Sequence, residues 1–155
     1  MSDTRAYPVP DLEDHLGYWL RTVSNHVSGA FAQALQVRQA SVAEWVALWH
    51  IRNRQTITPG ELADLIGMTR GAISKVLTKL ESKQWIARAI DRTDSRIQWI
   101  TLTSAGQQIL PELAQIADAN DTHFFDCLSH EEQATLRKLL QKLTQIHQWS
   151  DIPID

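Results

Sequence analysis

The chain has one cysteine, Cys127, so no disulfide can form within it. No apolar run approaches the roughly 18 residues that a membrane span needs. The opening stretch, MSDTRAYPVPDLEDH, lacks the basic and apolar blocks of a secretory signal, which makes a cytoplasmic location the expectation. There is no Gly-rich phosphate loop, no Gly-x-Ser-x-Gly and no His-Glu-x-x-His, so nothing speaks for an enzyme or a catalytic residue. The six histidines, His15, His26, His50, His123, His130 and His147, include no pair at i, i+4 ligand spacing. Neither a metal nor a cofactor is expected.

An excess of positive charge is also missing, since the net charge is −3. The distribution matters more than the total. Residues 1–68 carry −2, residues 69–96 carry +4, and residues 97–155 carry −5. The cations are thus concentrated in one short window between acidic segments, and local charge is what a phosphate backbone feels. With 155 residues and 43% hydrophobic content, the chain is sized for one domain with a real core.

Helical periodicity begins at Asp11. Leu12, Leu16, Trp19, Leu20, Val23, Val27, Phe31, Ala34 and Leu35 share one face over about seven turns. Residues 1–10, with two prolines, read as a loose arm. Ser41 and Glu44 form a capping box ahead of a short helix that is apolar nearly all round, the expected buried centre. Thr58, Pro59 and Glu61 open the next helix, Gly67 ends it, and Thr69 caps another after a very short turn. Helix, glycine turn, helix is the helix-turn-helix pattern.

The second of these helices buries Ala72, Ile73, Val76, Leu77 and Leu80. Its other face, Arg70, Ser74, Lys75, Thr78, Lys79 and Ser82, mixes cations for phosphates with small hydroxyls that can reach base edges. An ordinary solvated helix face is the alternative. Residues 85–90 and 97–102 are β-branched and aromatic and read as a hairpin whose tip is DRTDSR, residues 91–96. Placed directly after a recognition helix, a hairpin is a wing, and its tip can offer Arg92 and Arg96 to the minor groove. Asp94 is placed to brace the Arg96 guanidinium, with Ser95 between them. A merely solvated turn is the alternative.

Thr103 caps a long helix interrupted by Pro111, a kink or a break. Ser129-His130-Glu131-Glu132 opens a last helix with Leu136, Leu139, Leu140, Leu143 and Ile146 along one face. The expected fold is mainly α with a small β-hairpin wing: a winged helix-turn-helix domain plus long N- and C-terminal dimerisation helices. The apolar faces of the terminal helices exceed what so small a domain covers, which points to a two-fold dimer. Packing of those helices on each other within one chain is the alternative.

Three features carry a resemblance to the MarR family of winged-helix transcriptional regulators. They are the segment ELADLIGMTRGAISKVLTKLESKQWIARAIDRTDSR, the wing signature of Asp94, Arg96, Leu102, Thr103 and Gly106, and the long helices around them. The resemblance covers essentially residues 11–148. It implies a single domain over 11–155, with a DNA-binding lobe at 41–102 and dimerisation helices at 11–37 and 103–148. It implies a homodimer on double-stranded DNA carrying a pseudo-palindromic operator, in many members released by a small aromatic ligand or by oxidation. It makes Arg96 the minor-groove arginine with Asp94 as its partner, and puts Ser74 and Lys75 where bases and phosphate are met. One departure is Gln84, where the family has glycine; glutamine costs energy in a left-handed cap, so a reshaped helix end is expected.

For the signal, Trp45 and Trp49 lie one turn apart, and Trp19 on the first helix can approach them to line a pocket for a planar ligand. Core packing is the alternative. Trp85 and Trp99 are expected to pack the wing against the domain. Cys127 sits among apolar and acidic neighbours, with no cation beside it to activate the thiol, so a semi-buried bystander is expected rather than a redox sensor. A winged-helix protein-interaction module is the competing function, and the basic window argues against it.

Overall fold

The computed structural model describes residues 8–150 together with 153 and 154. Most of the expected N-terminal arm therefore lies outside the described residues. Helices α1 (Leu16–Leu35), α2 (Val42–Arg54), α3 (Pro59–Ile66) and α4 (Arg70–Ser82) precede the hairpin of β1 (Ile86–Ile90) and β2 (Gln98–Leu102). Helices α5 (Ser104–Phe125) and α6 (His130–Ile146) follow.

The first helix starts later than its periodicity suggests. Leu12–Asp14 form a single 3-10 turn, and His15 is extended at ψ 122°. The Asp14 carboxylate accepts the Asp11 N–H at 3.1 Å, and the Trp19 indole donates to the Glu13 carbonyl at 2.8 Å. These bonds reward a turn folded back on α1 instead of four more helical residues. Pro111, by contrast, does not break α5, which runs through it from Ser104 to Phe125. The Gln107 carbonyl, one turn earlier, loses its usual helical donor.

Capping fixes the other starts. The side chains of Ser41, Thr58, Thr69, Thr103 and Ser129 each accept a backbone N–H three residues on, at 3.0–3.2 Å. Each such cap contributes about 1 kcal/mol. Gly67 takes φ 75° and turns α3 into α4 within three residues.

The core lies where α2, α3, α4, β2 and α5 meet: Leu35, Leu48, Ile51, Leu62, Ile66, Ile73, Leu77, Leu80, Ile100 and Leu113 are all within 1% of full burial. Each such side chain contributes about 1.5–3 kcal/mol. Helix α2 is less enclosed than expected. It buries Ala47, Leu48 and Ile51 but leaves Trp49 46% exposed. It also buries a charge, Glu44, which receives the Ser41 N–H at 2.8 Å and the Lys83 ammonium at 2.7 Å.

The wing is an antiparallel ladder from Ile86↔Leu102 to Ile90↔Gln98. Ile57 adds a rung against Ile100, with N–H···O bonds of 3.2 and 2.8 Å, and so ties the wing root to the entrance of α3. At the other end of α4 the Gln84 N–H meets the Glu81 carbonyl at 2.9 Å and the Trp85 N–H meets the Leu80 carbonyl at 3.0 Å. That is the glycine-type helix end, formed with Gln84 at φ 59°. The helix end is thus not reshaped. Tertiary bonds hold it: the Thr103 N–H and hydroxyl bond the Trp85 and Gln84 carbonyls at 3.1 and 2.5 Å. Gly106 packs so close to Trp85 that a Cβ there would sit 2.0 Å from its carbonyl oxygen.

Candidate nucleic-acid interface

Burying Ile73, Val76, Leu77 and Leu80 orients α4. It leaves Arg70, Ser74, Lys75, Thr78 and Lys79 on the outer face, all exposed. The helix is 13 residues long, about 20 Å. Thr69 at its start accepts the Ala72 N–H and keeps its hydroxyl hydrogen to give away. The Thr78 hydroxyl donates to the Ser74 carbonyl at 2.9 Å, which leaves an acceptor and a methyl group facing out.

The basic window holds seven cations, and they divide cleanly. Lys83 pairs with buried Glu44 at 2.7 Å and also donates to the Gln39 carbonyl. Arg88 pairs with Glu81 at 2.9 Å. Among the described residues, Arg70, Lys75, Lys79, Arg92 and Arg96 are in no ion pair. The two tied cations serve the fold. The five untied ones are exposed, on α4 and the wing tip.

Helix and wing meet in a notch of about 460 Å³. Arg70 from α4 and Arg96 from the wing line it, along with Pro59 and Gly60 at the first turn of α3. Glu61 and Asp64 also border it. Hydrogen bonds from the Thr58 N–H and hydroxyl hold the Glu61 carboxyl below its ordinary range.

The wing tip departs from expectation in one contact. Asp94 does not brace the Arg96 guanidinium; its Oδ1 accepts the Arg96 backbone N–H at 3.0 Å. With only one residue between them, the carboxylate reaches the amide more easily than the far end of a long side chain. Arg92, Ser95 and Arg96 are all exposed. Sequence reasoning passed over Asp91, which accepts four hydrogen bonds. Asp-x-Thr-Asp after a strand was the available signal, because aspartate readily caps its own turn. Trp85 packs against the core, and Trp99 instead bonds to Asp91 at 2.9 Å.

A second concavity, about 920 Å³, opens between α2, β2 and α5. Trp45, Trp49, Arg52 and Gln55 form one wall, and Thr101, Leu102, Gln107 and Pro111 the other. Two of the three expected tryptophans are brought together here. Trp19 is not among the lining residues; it stands edge-on to Tyr18 at 5.4 Å. Cys127 is exposed, not semi-buried.

A capped helix pair, an outward basic face on its second helix and an antiparallel hairpin directly after it define a winged helix-turn-helix protein. Residues 40–97 match the MarR family. An HTH-type transcriptional regulator of Bacillus cereus, itself uncharacterised, is 31% identical over 141 residues, spanning 87% of this chain and 92% of its own. The chain belongs to the MarR family of transcriptional regulators. Escherichia coli MarR, as a cysteine-to-serine mutant complexed with operator DNA, is 28% identical with a TM-score of 0.72, covering 83% of this chain and 92% of that one. Bordetella bronchiseptica BpsR, whose DNA binding is regulated by 6-hydroxynicotinic acid, shares the fold at 20% identity and a TM-score of 0.75, over 88% of this chain and 98% of its own. No helix among the described residues is long and apolar enough to cross a membrane.

Proposed function

We propose that the chain is a sequence-specific DNA-binding regulator, not an enzyme, that acts as a homodimeric repressor on a pseudo-palindromic operator. The observation that carries this is the set of five cations on α4 and the wing tip that pair with no carboxylate among the described residues. Helix α4 enters the major groove with Thr69, Arg70, Ser74, Lys75, Thr78 and Lys79, and the wing offers Arg92 and Arg96 to the adjacent minor groove. Residues 41–102 act as the DNA-binding lobe, and 11–37 with 103–148 as dimerisation helices. The likeness to an operator-bound MarR supports the reading.

The same reading assigns the cleft of Trp45 and Trp49 to a small aromatic effector. Two indole faces and the Arg52 guanidinium suit a planar ligand with a polar edge. Because the cleft touches both the wing root and α5, an occupant that fits one arrangement better shifts the spacing of the recognition helices.

Fluorescence anisotropy tests this. The protein is titrated on a duplex from upstream of its own gene and on a scrambled duplex, over a salt series. Tight binding to the first alone, weakening steeply with salt, is expected. Arg96→Ala should cost about 1–3 kcal/mol of operator affinity. Equal binding to both duplexes argues against sequence reading. Binding to neither favours a protein-interaction module.

A further inference from the structure

The wing tip takes its shape from one carboxylate. Asp91 Oδ2 accepts the Thr93 N–H at 2.9 Å, the Thr93 hydroxyl at 2.6 Å and the Asp94 N–H at 3.0 Å. Those bonds close the turn locally. Asp91 Oδ1 accepts the Trp99 indole N–H at 2.9 Å, and this bond crosses the hairpin. Trp99 stands opposite Ala89 in the ladder, so it is diagonal to Asp91 on the same face. Alanine opposite leaves room for the indole to reach toward the tip.

The chemistry of this arrangement is selective. The tip carries two acids beside two arginines, a setting that invites local ion pairs. None forms among the described residues. Asp91 spends its oxygens on Thr93, Asp94 and Trp99, and Asp94 receives the Arg96 backbone N–H at 3.0 Å. The backbone closes with Asp91 N–H to Ile97 O at 2.9 Å and Ile97 N–H to Asp94 O at 3.0 Å. Both carboxylates therefore order the main chain, and both guanidinium groups stay free for an external anion. Donation by these partners, the Thr93 hydroxyl first and the indole next, also holds the Asp91 carboxyl well below the usual range.

We propose that Asp91 and Trp99 form a latch that positions Arg92 and Arg96 for DNA. They are positioning residues, which touch no DNA themselves. A free loop would lose conformational entropy on entering the groove, and a latched tip has lost it already on folding. The proposal rests on the reading of the wing as a DNA contact, and the experiment separates the two.

An operator is first selected with the wild-type protein from a random duplex pool. Trp99→Phe keeps an aromatic ring at this position and removes the indole N–H that Asp91 accepts. Asp91→Asn keeps one acceptor oxygen, so it cannot serve both the turn and the indole. The comparison set is R92A/R96A and the triple variant W99F/R92A/R96A. By anisotropy W99F should weaken binding on the order of 3- to 10-fold, the scale of one net hydrogen bond. D91N should weaken it at least as much. W99F should add nothing in the R92A/R96A background, because the groups it positions are gone. Amide exchange of residues 92–96 should quicken in W99F. Wild-type affinity in W99F overturns the latch. So does a full additive loss in the triple variant, which would mean the indole acts on folding or on DNA by itself. Wild-type affinity in R92A/R96A overturns the wing reading and the latch with it. A loss in R92A/R96A without one in W99F removes the latch alone.

Discussion

Glutamine holds every non-glycine position of positive φ among the described residues: Gln39 at 54°, Gln55 at 64°, Gln84 at 59° and Gln148 at 55°. Gln39, Gln84 and Gln148 close three helices with the same pair of backbone bonds. Left-handed backbone costs an L residue about 1–2 kcal/mol, and glycine returns about 0.5–1 of that as extra freedom in the unfolded chain. Gln84→Gly should therefore stabilise the fold by about 0.5–1 kcal/mol, read as a higher urea midpoint at unchanged slope. Lys83 lies one residue earlier and should behave oppositely. It neutralises Glu44, whose side chain is 3% exposed, and stands 4.8 Å over the Trp85 ring. Lys83→Met strands a buried carboxylate and should cost about 3 kcal/mol in the same measurement. The family resemblance marks Gln84 as standing where a helix-ending glycine is usual. The sequence does not show Glu44 as buried, because its partner is 39 residues away.

At the scale of elements, short-range chemistry was legible and long-range chemistry was not. Capping residues sit within three positions of their partners, so the starts of α2 through α6 could be read directly. The wing strands followed from β-branched composition. Two things lay beyond local reading: the clasp from Thr103 to the end of α4, and the Asp91–Trp99 bond across the hairpin. Both depend on register, which composition alone does not set. The break at His15 was missed because apolar periodicity runs straight through it while local hydrogen bonds favour a turn. The wing has an acid signature that follows from Asp91. Its ordinary pKa is 3.8 and folding lowers it, so the unfolded chain takes up the proton first as pH falls. Its contribution is complete above about pH 4 and is lost as pH drops toward the folded-state value. Urea midpoints measured from pH 5 down to pH 2.5 should fall more steeply for wild type than for Asp91→Asn. From pH 5 to pH 8 this carboxylate should contribute no pH dependence.

Among the described residues, the terminal helices leave apolar side chains uncovered. Helix α6 buries none of its 17 residues, and Leu139 and Leu143 are 55% and 45% exposed. Leu16, Leu20 and Val23 of α1 are similarly open, while the later part of α1 is anchored to α5, where Asn120 donates to the Val27 carbonyl at 3.2 Å. Apolar faces left open on helices of a charged protein call for a partner, and a two-fold axis lets one face meet its own copy. Such a dimer would set two recognition helices about 34 Å apart, one turn of DNA. The test exploits the separation of α6 from the core. Replacing Leu139 and Leu143 together by glutamate removes no buried side chain from the protomer, so helical content should be retained. Sedimentation at micromolar concentration should then shift from dimer to monomer. Operator affinity should fall about 100-fold or more, since each half-site is then bound without the gain from linkage. A double variant that still sediments as a dimer would place the interface elsewhere. A monomer with undiminished affinity would mean that one winged helix reads the whole site alone, and five unpaired cations on a single α4 and wing would have to account for all of the binding.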